Sequence, residues 1–180
     1  MKSFNNAFKE KDEYYTPFLL IEFLYPVLKE KDIKTILCPF DNKNSNYVKF
    51  FKEKGFNVIS GHINQSKDFF NEWWLDYEFD ILISNPPFSK KKEIIQVLTK
   101  YNIDFMLLMN LMSINYQDFS EVLRLSDKQK PINFIIPNKK VSFDVNTSSF
   151  SSGYICNCIE RNLFIDLPDN NTNKNFNKDN

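Results

Sequence analysis

Phe79-Asp80-Ile81-Leu82-Ile83-Ser84-Asn85-Pro86-Pro87-Phe88 decides how the rest of this chain is read. Its first half is a short apolar run, the pattern of a strand buried on both faces. Its second half stops that strand in a rigid turn. Each proline lacks an N–H and holds φ at about −65°, and a residue before proline is kept out of the α region. The Asn85 side chain and the Asn85 and Pro86 carbonyls therefore point away from the strand tip, with no ladder to satisfy them. They form a small acceptor cluster beside an aromatic ring. A planar group carrying an NH2 suits such a cluster: the amine donates into the oxygens while the ring stacks on Phe88. Pro-Pro alone would serve as a loop stop; Asn before it and Phe after it are what point to chemistry.

Outward from this stretch, helices and strands alternate. Apolar spacing predicts a helix over 17–29, with Thr16 as N-cap, Pro17 at the first helical position and Pro26 disturbing the last turn. A strand over 35–38 leads into a polar loop, 39–44. A helix over 45–54 is closed by Gly55, a left-handed stop, before a strand over 56–60. A short helix or turn over 69–74 precedes the motif strand, 79–84. Beyond it the pattern predicts helices over 90–101 and 116–125 and strands over 104–110, 133–136 and 151–159, the last hairpinned to 140–143. Such alternation means an α/β fold: a Rossmann-like, doubly wound sheet, mostly parallel and covered on both faces, with a C-terminal antiparallel hairpin.

A chain of 180 residues that is 42% hydrophobic can bury one core but not a second full domain. The expected organisation is a loose N-terminus (1–11), a single domain (12–167) and a disordered polar tail (168–180). Net charge is zero, which excludes a global field drawing the chain to nucleic acid; any such contact must be local. Three cysteines, with no signal peptide ahead of them, point to a reducing cytoplasm. Cys156-Asn157-Cys158 has no second ligand pair, so no metal site is expected. No apolar run approaches the ~18 residues of a membrane span.

Asn85-Pro86-Pro87-Phe88 resembles the catalytic Asn/Asp-Pro-Pro-aromatic tetrapeptide of amino-group methyltransferases that use S-adenosylmethionine. The chain looks closest to small adenine-specific methylases of the EcoRI type, often borne by phages. The supporting pieces are Asp12-Glu13-Tyr14-Tyr15-Thr16-Pro17, Leu37-Cys38-Pro39-Phe40-Asp41, Gly61-His62-Ile63 and Lys67-Asp68-Phe69-Phe70. The resemblance implies a methyltransferase sheet and S-adenosylmethionine as cofactor. It implies that Tyr15, Thr16 and Pro17 hold the methionine end, that Cys38, Pro39, Phe40 and Asp41 form the cofactor loop, and that Asp68 and Phe69 bind the cofactor's adenine. These sites fall where ligands bind in open α/β sheets, outside the carboxyl ends of the strands. Thr16-Pro17 also reads as an ordinary helix start, and Asp68 as a cap for the turn after it.

Three places depart from the family pattern, the first being Cys38, where the family has Asp before Pro-Phe. Asn42-Lys43-Asn44 replaces Gly-x-Gly, with asparagine's tolerance of positive φ a substitute for glycine. His62 stands where an acid usually grips the ribose, with Asp41 able to supply the missing charge. The resemblance implies methyl transfer to an exocyclic amine, N6 of adenine in DNA before RNA, with Asn85, Pro86, Pro87 and Phe88 catalytic. Lys90, Lys91 and Lys92 could hold phosphates beside the pocket, or be a solvated helix turn. Full DNA methylases of this arrangement carry a target-recognition domain after the core, so specificity here would come from loops, a second copy or a partner. Two other readings stand open: a methyltransferase-shaped binding protein without catalysis, and an enzyme acting on protein glutamine.

Overall fold

The computed structural model describes residues 16–143 and 151–168. Its strands are β1 (Thr35–Cys38), β2 (Asn57–Ser60), β3 (Ile81–Ser84), β4 (Phe105–Asn110), β5 (Asn133–Pro137), β6 (Ser152–Cys156) and β7 (Leu163–Ile165). They form one sheet in the order β2-β1-β3-β4-β6-β5-β7. The first four run parallel. β6 lies antiparallel between β4 and β5, and β7 pairs parallel with β5. The helices are α1 (Leu24–Glu30), α2 (Asn46–Glu53), α3 (Lys91–Lys100) and α4 (Gln117–Asp127). None is long and apolar enough to cross a membrane. This is the expected Rossmann-like α/β class, mostly parallel with an antiparallel element near the C-terminus.

Alternate residues of each central strand enter different cores, because successive side chains leave a strand on opposite faces. Ile36, Cys38, Ile81, Ile83, Met106, Leu108 and Tyr154 pack with α1 and α2 residues such as Leu24, Leu28 and Phe51. Leu37, Leu82, Leu107, Met109 and Ile155 pack with Ile94, Leu98 and Phe119 of α3 and α4, and with Phe69 and Trp74. Both faces of β3 and β4 are therefore dry, which is why these strands carry continuous apolar runs. The strand order reverses at β1, whose neighbours are β2 on one side and β3 on the other. That switch point sets the site.

Three expectations need correction. The helix over 17–29 is a 3-10 turn, Phe18–Leu20, followed by α1. Pro26 sits in the first turn of α1, where a missing N–H leaves nothing unpaired, so the helix cannot begin much earlier. Thr16 does not cap it; the residue before the 3-10 turn is Pro17, with no side-chain cap. The antiparallel partner of β6 is β5 on one side and β4 on the other, and not residues 140–143. β6 completes a sheet with apolar surface on both faces, a stronger demand than a local hairpin. Tyr15, the loose N-terminus and all of the polar tail after Pro168 lie outside the described residues.

A buried chain of hydroxyls ties the layers together. Tyr154 of β6 donates to the Leu20 carbonyl at 2.9 Å, and its oxygen pairs with the Tyr47 hydroxyl of α2 at 2.7 Å. Since the Tyr154 proton is used on Leu20, Tyr47 is the donor in that pair. Both residues are at most 1% exposed. Tyr154→Phe should cost roughly 1–3 kcal/mol, because a buried carbonyl and a buried hydroxyl each lose a partner. Urea unfolding measures this; a variant as stable as the parent would remove the chain from the list of structural ties.

Candidate active site

At the switch point the loop after β1 meets the end of β3 through one buried carboxylate. Asp41 accepts a hydrogen bond from the hydroxyl of Ser84, the last residue of β3. It also pairs with the Ser45 hydroxyl, and it bridges to Gly61 at the end of β2. Burial raises the Asp41 carboxyl from its ordinary 3.8 to about 6, against the lowering pull of Ser84 and Ser45. The same Ser45 oxygen accepts from the Val48 N–H at 3.2 Å and so caps α2. The Asp41 carboxylate thus ties the loop after β1 to the end of β3 and the start of α2, while the residue's backbone bridges to Gly61 after β2.

The glycine-free loop holds its shape by a means other than the one expected. None of residues 39–44 has positive φ. The Asn42 side chain accepts from the Asn44 N–H at 2.8 Å, and the Asn42 carbonyl accepts from Ser45 N–H at 3.0 Å. Asparagine here builds a side-chain turn and does not imitate glycine. The Cys38 carbonyl receives the N–H groups of Asp41 and Gly61, while its thiol is fully buried in the core. Cys38 therefore presents only backbone to the site. Thr16, 3% exposed, accepts from the Asn46 side chain through its carbonyl at 2.9 Å. Thr16 thus lies against the start of α2.

At the end of β2, His62 turns Nδ1 inward to accept from the Asn64 N–H at 3.2 Å. Trp73 lies against Gly61 so closely that a Cβ there would sit 2.2 Å from the indole. Lys67 packs against the same indole, its ammonium 4.3 Å from a ring centroid, and donates to the Ser60 carbonyl at 3.2 Å. Asp68 caps the next turn by accepting from the Phe70 N–H at 3.1 Å. Phe69 is 2% exposed, stacked on Trp74 and packed against Phe40 with ring centroids 5.0 Å apart. Phe40 and Phe70 keep exposed surface, so they can meet a ligand face that Phe69 cannot reach.

The tetrapeptide leaves β3 as expected. Pro86 is buried, Pro87 half-buried and Phe88 39% exposed. Asn85 Oδ1 is buried with no hydrogen-bond partner among the described residues. Few buried side-chain oxygens are left in that condition, and each calls for an explanation. The three lysines do not line one hollow. Lys90 pairs with Glu93 at 3.3 Å and faces a hollow of about 330 Å³ shared with Phe70 and Val97. Lys91 lies under the Tyr116 and Phe119 rings, and Lys92 pairs with Asp118 at 3.8 Å.

Sequence reasoning missed Ser84, Ser45, Trp73 and Tyr116. The first had a signal: a serine ending an apolar strand is a buried polar group in need of a partner. Gly61 also signalled a close neighbour in a chain with only three glycines. Nothing local pointed to Tyr116. Among the described residues, no group of three or more His, Cys, Asp or Glu is placed to hold a metal.

A family model described as adenine-specific methyltransferase EcoRI matches residues 57–148, from β2 to past β5. The type II methyltransferase M.EcoRI of Escherichia coli is 30% identical over 89 residues, covering 46% of this chain and 27% of that protein. A crystal structure of a modification subunit, assigned to a type I restriction enzyme of Vibrio vulnificus YJ016, superposes with a TM-score of 0.56. That alignment covers 92% of this chain and 50% of the other at 10% identity, a likeness of fold. This chain thus spans about a quarter and a half, respectively, of the lengths of these proteins.

Asp41 makes stability depend on pH in a definite direction. Its folded carboxyl holds a proton more tightly than the unfolded one, so between about 4 and 6 the folded state carries the extra proton. Its contribution therefore falls as pH rises through that window and levels off above it. Asp41→Asn removes this dependence. From pH 4 to 7, the stability of Asp41→Asn relative to the parent should rise by on the order of 3 kcal/mol. Denaturant unfolding at several pH values measures that gap, and a gap that stays constant would place Asp41 in water.

Proposed function

The chain belongs to the EcoRI-type adenine-specific methyltransferase family, and from that premise we propose that it methylates N6 of adenine in DNA, using S-adenosylmethionine. The observation that carries this reading is the buried Oδ1 of Asn85, without a hydrogen-bond partner among the described residues. A neutral acceptor held out of water gains a full hydrogen bond when a donor arrives, and an exocyclic amine is a donor that fits beside Phe88. Neither neighbouring proline can satisfy it, since neither has an N–H.

The residues present fit the cofactor at the switch point. The Thr16-Pro17 segment, the backbone of Cys38 to Asp41, the Phe40 ring and the Asp68 carboxylate are the groups that would hold it. Cys38 and Phe69 would contribute by shaping the loop and supporting Phe40, because their own side chains are at most 2% exposed. His62 would contribute by fixing the turn after β2. When bound, S-adenosylmethionine supplies an electrophilic methyl and leaves as the neutral thioether, while the amine nitrogen gains the methyl and sheds one proton to solvent.

The chain's own residues would do the rest by position and charge. Asn85 Oδ1 and the Pro86 carbonyl accept the two amine hydrogens, which drives the nitrogen toward tetrahedral geometry and aims its lone pair. The same oxygens stabilise positive charge as it develops on nitrogen. Phe88 would stack on an adenine swung out of its helix. Proline rigidity matters here: acceptors that need not reorganise stabilise the transition state more than mobile ones.

Asn85→Ala should lower the transfer rate roughly 10²–10³-fold, by analogy with the loss of one oxyanion-hole donor. Its affinity for S-adenosylmethionine should stay at the parent's value. A tritiated methyl-transfer assay on unmodified DNA, paired with calorimetry, separates the two quantities. Full activity in this variant would sink the mechanism, and transfer to protein extract alone would favour the glutamine reading.

Asp68→Ala should weaken S-adenosylmethionine binding by roughly ten- to a hundredfold, the scale of a hydrogen bond to a charged group. Asp68→Asn, which keeps the cap on the Phe70 N–H, should show most of the same loss. If Asp68→Asn binds like the parent, the residue is a turn cap and no more.

A further inference from the structure

We propose that the groove between the starts of α3 and α4 holds a second nucleotide of the acceptor strand, stacked on Tyr116 and gripped at its phosphate by Lys91 and Lys92. The groove opens directly from Phe88 and has a volume of about 400 Å³, within the range of small-ligand clefts. Its walls include Phe88, Lys91, Lys92, Tyr116 and Asp118. The inference rests on the nucleic-acid reading above and assigns a residue that the tetrapeptide does not include.

Two aromatic side chains frame the groove, and both are exposed: Phe88 at 39% and Tyr116 at 62%. Exposure alone marks neither ring, since single exposed rings are common; their shared place on one groove is what pairs them. The Lys91 ammonium lies 5.5 Å from the Tyr116 ring centroid and 5.4 Å from that of Phe119. Ring and cation thus stand side by side in the wall of one groove. A base satisfies such a ring whatever its identity, because every base has a π-surface.

The charge pattern selects the occupant. Glu93, which also borders the groove, is engaged by Lys90, and Lys92 meets Asp118 only at 3.8 Å with the carboxylate 81% exposed. Lys92 can therefore exchange a weak, hydrated partner for a phosphate, and Lys91 has no carboxylate within ion-pair distance among the described residues. The uncapped first N–H groups of α3 and α4 are offset by Glu93 and Asp118 in the same turns, so the lysines are the cationic groups that matter. Adjacent aromatic and cationic groups at the mouth of the acceptor pocket match a base and its phosphate. An apolar peptide would leave the cations unmatched.

The test uses the full chain and a fluorescein-labelled single-stranded DNA of about 16 nucleotides, read by anisotropy. Tyr116→Ala should bind it roughly tenfold more weakly, and Tyr116→Phe, which keeps the ring, should bind within about twofold of the parent. Calorimetry with S-adenosylmethionine and the far-ultraviolet circular dichroism spectrum should be unchanged in both, which excludes a folding defect. If the parent methylates DNA and Tyr116→Ala binds the oligonucleotide as tightly as the parent, the groove proposal fails and the methylase reading stands. If the parent neither binds the oligonucleotide nor methylates DNA, both fall together.

Discussion

The hydrogen bond from Ser84 to Asp41 is the constraint on which the site depends. A carboxylate inside a protein is expensive unless its oxygens are paired, and here the partners come from two different elements. One is the end of β3, the other the start of α2. Withdrawing either would leave charge in a dry place, so the loop after β1 and the strand that delivers the tetrapeptide cannot drift independently. The bridge from Asp41 to Gly61 extends the same lock to β2. A methyl-transfer site needs this more than it needs a strong nucleophile, since most of its work is to hold two reactants in line.

The same economy governs Asn85. Its oxygen lies just past Ser84 and has no partner among the described residues, an arrangement that would be costly with nothing to be gained. The backbone around it is also the least able to relax, with two prolines in succession and a buried Pro86. Asn85 therefore remains an acceptor aimed by its neighbours, while Asp41 next door is an acceptor already used. One is structural and the other is available, a distinction that burial alone would not reveal.

The sequence carried the fold class and the tetrapeptide because both rest on local rules. Apolar runs of strand length, a glycine closing α2 and prolines ending β3 are each decided within a few residues. What was not legible depends on distant partners. The insertion of β6 between β4 and β5 answers a need of the whole sheet, and Lys140 to Phe143 looked like a hairpin partner only because they are near in sequence. Phe69 read as a ligand-facing aromatic from its place after Asp68, yet packing against Trp74 and Phe40 buries it. Asp68 had two readings from sequence, and the structure gives it the cap; its proposed contact with a cofactor adds to that bond and does not replace it. Tyr116 was invisible because its significance lies in facing Lys91, which comes from another helix.

Net neutrality then shapes how such a chain could hold nucleic acid. Proteins that bind by counterion release present many lysines and arginines to phosphates and lose affinity steeply with salt. This chain has as many acidic as basic residues, 23 of each, and the three lysines beside its motif are divided between two hollows, which leaves Lys91 and Lys92 for one phosphate. Two lysines on one phosphate supply only a small electrostatic contribution. Stacking on Phe88 and on Tyr116 needs no net charge and acts only on bases that have left a helix. On the proposed reading, the protein would discriminate an extruded or unpaired base from duplex before it discriminates one sequence from another.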